Sequence, residues 1–118
     1  MSSSYKAYDV CLIDFGKAEF AGEQGGIRPA VIIQNDLGNR YSGTTIVIPF
    51  TSVLKNTTQI THSLFYSKKG NGLTCTSMLL GECVRQISKK RIVKWCGRIT
   101  NPEDKLKIKR VYAANFAW

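Results

Sequence analysis

Short apolar runs bounded by turn-forming residues occupy most of the first hundred positions. In residues 8–15 the apolar side chains of Val10 and Leu12 are two positions apart, in the period-two register that is typical of a strand with one buried face. Apolar, β-branched runs that begin at Pro29 and at Thr44 predict two buried strands joined by a turn through residues 35–43. Three further runs predict three more strands, at residues 60–66, 76–84 and 92–100. Strands of this length with short connections favour a barrel or a strongly curled sheet.

The C-terminal segment has the pattern of a helix. Asn101 can cap its N-terminus, Pro102 suits the first helical position, and Glu103 and Asp104 favour the positive end of the helix dipole. We predict a helix over residues 102–115. Three apolar side chains are expected to face the sheet: Leu106, Val111 and Tyr112. The elements together predict a mainly β fold with a small α contribution.

Length and composition restrict the class of protein. The 118 residues suit a single domain over residues 1–118, and 43% hydrophobic with 21% charged residues is ordinary for a soluble globular protein. No apolar run is long enough to span a membrane, and the N-terminus lacks the apolar core of a secretory signal. We therefore expect a cytoplasmic protein without a membrane partner.

The cysteines and the single histidine argue against a metal centre. Cys11, Cys75, Cys83 and Cys96 include no Cys-x-x-Cys pair, and only His62 could add an imidazole ligand. Reduced thiols are the expected state of these cysteines in the cytoplasm. We predict neither a metal nor another cofactor.

The charge favours a polyanionic partner. Seventeen Lys and Arg against eight Asp and Glu give a net charge of +9 and a pI near 9.6, which attracts nucleic acid. Ten of the seventeen cations lie between Arg85 and Arg110. This basic run is either part of an RNA-binding track or simply a solvated face.

One segment is specific enough to indicate a family. Residues 22–36 read G-E-Q-G-G-I-R-P-A-V-I-I-Q-N-D and begin within a predicted loop, residues 16–26, that contains four glycines. Residues 44–52, T-T-I-V-I-P-F-T-S, and residues 78–92, M-L-L-G-E-C-V-R-Q-I-S-K-K-R-I, follow in the expected order. The chain closely resembles the MazF/PemK family of toxin ribonucleases over nearly its whole length.

The resemblance implies a fold, an activity and two partners. The expected fold is an SH3-like β-barrel of the PemK type with a C-terminal helix, and the expected assembly is a homodimer. The expected activity is sequence-specific cleavage of single-stranded mRNA, neutralised by a cognate antitoxin. On the matching positions the family's catalytic pair corresponds to Arg28 and Thr51, and the loop residues Glu23 and Gln24 are expected to contact RNA.

The chain departs from the family pattern at three positions. Gly22 stands where many relatives carry Ser, which removes a hydroxyl contact to phosphate. Ser88 stands where relatives often carry an Asp that some members are thought to use as a base. Tyr8 replaces the Gly that commonly opens the first strand, a change that concerns structure and not catalysis.

Metal-independent RNA cleavage requires a base for the 2′-hydroxyl, donors for the phosphorane oxygens and an acid for the leaving 5′ oxygen. Its natural products are a 2′,3′-cyclic phosphate and a 5′-hydroxyl. Arg28 offers a planar fork of donors that suits phosphate; the alternative is a structural ion pair with Glu23 or Asp36. Thr51 offers a hydroxyl at a strand end, although Thr is also an ordinary β-forming residue.

Four other polar residues are candidates for RNA contacts, each with a structural alternative. The imidazole of His62 is a candidate base, but a lone histidine in a strand is more often a surface or packing residue. The amides of Gln34 and Asn35 suit the edges of unpaired bases, or else they cap a turn. Arg85 either contacts backbone phosphates or forms an ion pair with Glu82.

Two other functions share parts of this pattern. A non-catalytic RNA-binding barrel would have the same basic charge and β-rich sequence. A gyrase poison of the CcdB type would share the barrel, and its Trp-bearing tail is faintly similar to residues 116–118, F-A-W. The motif in residues 22–36 favours the ribonuclease over both alternatives.

Overall fold

The computed structural model describes residues 5–20, 22–54 and 58–117, which form one antiparallel seven-stranded sheet and two helices. The strands are β1 (Asp9–Asp14), β2 (Ile27–Ile32), β3 (Thr44–Thr51), β4 (His62–Phe65), β5 (Ser77–Leu80), β6 (Arg85–Ser88) and β7 (Ile92–Arg98). The helices are α1 (Asp36–Tyr41) and α2 (Pro102–Ala113), and single 3₁₀ turns cover Gly81–Cys83 and Lys89–Arg91.

The sheet curls because the two ends of β3 pair with different strands. The strand order is β4-β5-β3-β2-β1-β7, and β6 also pairs with β3. The first half of β3, from Thr44 to Val47, pairs with β6, whereas Phe50 and Thr51 at its end pair with β5. This barrel-like sheet with a C-terminal helix confirms the predicted fold class.

Alternate residues of the central strands enter two apolar clusters. One cluster contains Val10, Val31 and Phe50 and is covered by Ile108 and Val111 of α2. The other cluster is built from neighbouring strand positions: Cys11, Ile13, Phe15, Ala30, Ile32, Val47 and Ile87. Because both faces of β1 and β2 are buried, their sequences are nearly continuous apolar runs.

Three local predictions were wrong. Residues 35–43 contain the helix α1 and not a simple turn, because the Asn35 side chain accepts a hydrogen bond from the Gly38 N–H at 2.9 Å and caps it. The strand predicted over residues 76–84 ends at Leu80, where a 3₁₀ turn begins. The strand β6 that follows was not predicted.

Helix α2 ends two residues earlier than predicted and buries a different stripe. Asp104, Ile108 and Val111 are buried, and their spacing of four and three residues places them on one face. Leu106 and Tyr112 are 44% and 40% exposed, so the prediction that they face the sheet was wrong. Neither helix within the described ranges has the length and hydropathy that a membrane span requires.

Tyr8 adopts a backbone conformation that favours glycine. Its φ is +74°, in the left-handed region. This conformation explains on physical grounds why a glycine suits the position before β1, and it agrees with the structural interpretation of this departure.

Candidate active site

Arg28 and Thr51 line one cavity at the edge where β2 and β3 stop pairing. The antiparallel register pairs Ala30 with Pro49. Continued by two residues on each strand, this register sets Arg28 opposite Thr51. Both residues line the same open cavity of about 670 Å³.

Two residues of the glycine-rich loop hold the Arg28 guanidinium. Its Nη2 and Nε donate hydrogen bonds to the carbonyl oxygen of Gly25, at 2.9 and 3.1 Å, and its Nη1 donates to Oε1 of Gln24. Glu23 and Asp36, the acids considered as ion-pair partners, contact backbone N–H groups instead. Arg28 is therefore oriented by the loop and not neutralised by either acid.

The loop that holds Arg28 is tightly built. The Glu23 side chain accepts hydrogen bonds from the N–H groups of Glu19 and Phe20 at 3.3 and 3.2 Å. A Cβ on Gly25 would lie only 2.7 Å from the backbone nitrogen of Ala18, so the chain passes itself at a distance that only glycine permits. The backbone of the loop thereby fixes the carbonyl that anchors Arg28.

Thr51 is the last residue of β3 and is buried, with 7% of its surface exposed. Its Oγ1 accepts a hydrogen bond from the N–H of Val53 at 3.2 Å. Since that bond uses only an acceptor site of Oγ1, the hydroxyl proton can point to a ligand. Thr51 can thus donate a hydrogen bond beside Arg28.

The cavity is also lined by two lysines and a tryptophan that were not among the predicted site residues. Lys68 reaches it from the segment after β4, and Lys94 and Trp95 reach it from β7. Lys68 also pairs with the buried Asp104 of α2 at 3.1 Å. A tryptophan directly after Lys94 of the basic run is the signal in the sequence that could have indicated Trp95.

Three of the predicted RNA contacts line a second cavity, of about 700 Å³, on the other side of the loop. They are Glu23, Gln24 and Arg85. Arg85 lies over the ring of Phe15, 5.5 Å from its centroid. Glu82, the acid considered as its partner, pairs with His62 instead. Gln24 connects the two cavities, because it lines this one and binds Arg28.

Gln34 and Asn35 lie apart from Arg28, beside a third cavity that α1 and α2 border. Nε2 of Gln34 donates to Oδ1 of Asn39 and to the carbonyl oxygen of Thr44, both at 3.1 Å. Asn35 caps α1. Both amides are therefore engaged in local structure, that of Asn35 as a helix cap and that of Gln34 by hydrogen bonds to two neighbours.

His62 is coupled to Glu82 and not to Arg28. Its Nε2 lies 2.8 Å from Oε2 of Glu82, and its side chain is only 4% exposed. Burial raises the pKa of Glu82, but hydrogen bonds from His62, from its own N–H and from Thr61 outweigh burial and hold this pKa below its usual value. His62 is absent from the residues that line the three described cavities.

The thiols and acids of the described residues do not form a further reactive centre. The four cysteines, all within the described ranges, are not linked by disulfides. Burial raises the pKa of the Cys11 thiol to about 12, with smaller contributions from Asp9 and Cys96, so it is a packing residue. Residues 5–20, 22–54 and 58–117 contain no group of three or more His, Cys, Asp or Glu side chains arranged to bind a metal.

The structure is thus a small curled-sheet protein with one cavity that Arg28, Lys68 and Lys94 make basic. Comparison with known proteins identifies the family to which the chain belongs. A family model described as "PemK-like, MazF-like toxin of type II toxin-antitoxin system" matches residues 6–113. The chain belongs to this toxin family, which confirms the resemblance found in the sequence.

Relatives agree with this assignment. The endoribonuclease MazF of Staphylococcus epidermidis is 43% identical over 84 residues, covering 71% of this chain and 68% of the relative. A mycobacterial endoribonuclease solved in complex with its cognate antitoxin has a TM-score of 0.73 at 18% identity, over 97% of this chain and 98% of the other. MazF of Deinococcus radiodurans has a TM-score of 0.73 at 19% identity, over 96% and 94%. At these identities the solved structures establish the shared fold.

Proposed function

We propose that this toxin is an endoribonuclease that cuts single-stranded mRNA at a short sequence, without a metal, and leaves 2′,3′-cyclic phosphate and 5′-hydroxyl ends. The observation that carries the proposal is the Arg28 guanidinium, anchored by its loop opposite Thr51 at an open cavity. The relative from Staphylococcus epidermidis, named as an endoribonuclease, supports it.

Arg28 retains donors for a phosphate while it is anchored. A guanidinium has five N–H groups, and three of them are used by Gly25 and Gln24. The two that remain can bind the phosphorane oxygens, on which negative charge builds as the 2′-oxygen attacks. Because the loop fixes the guanidinium in advance, little reorganisation is needed in the transition state.

Thr51 assists the same phosphate from the opposite strand. Its hydroxyl donates to a second oxygen, and its burial at a strand end restricts its position. Lys68 and Lys94 add positive charge around the cavity and attract the RNA backbone. The proposal assigns no proton transfer to His62, which is buried against Glu82.

The remaining predicted RNA contacts extend the site along the strand. Glu23, Gln24 and Arg85 line the adjoining cavity, where they can contact nucleotides next to the scissile phosphate. Gln34, Asn35 and His62 are more distant candidates, and their present hydrogen bonds favour structural roles.

The proposal includes two protein partners and a location. We propose that the toxin acts as a homodimer and that a cognate antitoxin, with an acidic segment attracted by the net charge of +9, occludes the RNA cavities. A mycobacterial endoribonuclease of the same fold was solved with its cognate antitoxin, which supports this partner. Because the proposed substrate is mRNA, the toxin would act in the cytoplasm.

Digestion of a long transcript in EDTA tests this function. We expect cleavage in the presence of the chelator, with 2′,3′-cyclic phosphate and 5′-hydroxyl ends identified by end-specific ligation. Mapping the 5′ ends would give the sequence that is cut. Loss of cleavage on chelation, restored by Mg²⁺, would overturn the metal-independent mechanism. Binding without any cleavage would favour the non-catalytic RNA-binding alternative.

A further inference from the structure

Strand β7 is irregular where it borders the candidate active site. Gly97 pairs with Val10 and Trp95 with Cys11, so Cys96 is an extra residue; Lys94 pairs with Leu12 and Ile92 with Ile13, so Val93 is another. Such bulges re-aim side chains. A regular strand would alternate consecutive side chains between its two faces. The bulges explain why three consecutive residues line the same cavity instead: Lys94, Trp95 and Cys96.

Trp95 is a large aromatic residue that is exposed in this cavity. Its side chain is 54% exposed, and it belongs to neither apolar cluster. Its cavity contains three cations, Arg28, Lys68 and Lys94. An aromatic face beside positive charges is the combination that binds single-stranded nucleic acid, in which bases stack on the ring and cations contact the backbone.

We propose that Trp95 is a substrate-binding residue on which an unpaired base next to the scissile phosphate stacks, with Lys94 contacting the adjoining backbone phosphate. This inference rests on the proposed ribonuclease function, because Arg28 defines where the scissile phosphate lies. The cavity, of about 670 Å³, is in the range of ordinary ligand sites and has room for a nucleotide. Stacking on Trp95 would hold the RNA so that one phosphate faces Arg28.

Fluorescence can detect the stacking directly. The chain contains two tryptophans, Trp95 and Trp118, so a Trp118→Phe variant reports on Trp95 alone. The probe is a pool of single-stranded 2′-fluoro oligonucleotides, which lack the attacking hydroxyl. We expect these strands to quench Trp95 emission, and the same strands annealed into duplexes to quench it less, because their bases are not available.

Cleavage kinetics distinguish a stacking role of the Trp95 ring from a role that any apolar side chain could fill. We expect Trp95→Leu to lower kcat/KM by about 5- to 140-fold, the usual range for loss of one stacked base, mainly through KM, and Trp95→Phe to retain most activity. The matched control is Tyr41→Leu, an aromatic residue that is 73% exposed on α1; it should cleave like the wild type. Light scattering on each variant checks its assembly.

Two results would overturn the proposal. One is wild-type cleavage by Trp95→Leu together with unchanged Trp95 emission on RNA binding. The other is a Trp95→Leu protein that becomes monomeric while RNA leaves Trp95 emission unchanged, which would make Trp95 a contact between copies of the chain. Failure of the proposed function is distinguishable, since a wild-type protein that never cleaves can still show quenching of Trp95 by RNA.

Discussion

Arg28 donates two hydrogen bonds to the carbonyl oxygen of Gly25, from Nη2 at 2.9 Å and from Nε at 3.1 Å. A side-chain fork is thus held by the backbone of its own loop, three residues away along the chain. Together with the hydrogen bond from Nη1 to Gln24, these bonds use three of the five N–H groups of the guanidinium and leave two for a ligand. The position of the loop backbone therefore determines the position of the proposed catalytic group.

Gly25→Ala tests this coupling. The new Cβ would meet the Ala18 nitrogen at 2.7 Å and the Gly16 carbonyl oxygen at 3.0 Å, so the loop must shift and carry the anchoring carbonyl with it. We expect a loss of about 1–3 kcal/mol in the free energy of unfolding. The cleavage rate should fall by up to about 10²-fold, the effect of misplacing a catalytic group by roughly 1 Å.

The matched control for Gly25→Ala is Gly43→Ala, because a Cβ on Gly43 meets nothing within 4 Å. This variant should keep wild-type stability and activity. Urea unfolding and single-turnover cleavage measure both quantities. If Gly25→Ala cleaved at the wild-type rate, the anchoring role of the loop would be wrong.

Thr51 should act through its hydroxyl and not through its shape. Thr51→Val keeps the branched side chain but removes the donor, so we expect a fall of about 10- to 150-fold in the cleavage rate, as for loss of a hydrogen bond to a charged group. Thr51→Ser should retain most activity, because the hydroxyl remains. Single-turnover cleavage rates of both variants test this role. Equal rates for Thr51→Val and Thr51→Ser would exclude Thr51 as a hydrogen-bond donor.

The interaction between His62 and Glu82 should make the free energy of unfolding depend on pH. The folded pKa of Glu82 is lowered, so its stabilising contribution is present above its unfolded pKa and is lost as pH falls through the lower, folded pKa. We expect the stability difference between wild type and Glu82→Gln to shrink from about pH 6 to about pH 3. Urea unfolding at each pH measures it, and a difference that grew on acidification would contradict the assigned direction.

Most of the fold follows from local pattern in the sequence. The central strands are predictable because burial on both faces makes them continuous apolar runs, and α2 is predictable from its cap at Asn101. The prediction that Leu106 and Tyr112 face the sheet was wrong. The buried face of α2, from Asp104 to Val111, includes a carboxylate that is paired with Lys68, and no apolar pattern indicates such a residue. Helix α1 was missed because Gly38 and Asn39 are typical of turns.

The candidate site was predictable only in part. The family motif indicated Arg28 and Thr51, and the structure brings these two together. Lys94 and Trp95 line the same cavity as Arg28 because of bulges in the pairing of β7 with β1, a strand that is remote in sequence. The placement of Gln34 and Asn35 beside another cavity likewise depends on α1, which orients both amides locally.

We propose that Arg28 stabilises the phosphorane by the geometry of its fork and not by charge alone. Arg28→Lys keeps the charge but loses the fork, and removal of one such preorganised donor commonly costs about 10² to 10³ in rate. The control Arg110→Ala removes a cation from an exposed position in the last turn of α2, away from the cavity, and should leave the rate unchanged.

Single-turnover cleavage beside filter binding, for wild type, Arg28→Lys, Arg28→Ala and Arg110→Ala, tests this claim most directly. Circular dichroism confirms that each variant is folded. We expect cleavage by the Lys variant to be nearly as slow as cleavage by the Ala variant, while RNA binding is only modestly weaker, since the other sixteen cations supply most of the attraction. A folded Arg28→Ala protein that cuts RNA at the wild-type rate would contradict it and remove Arg28 from the active site.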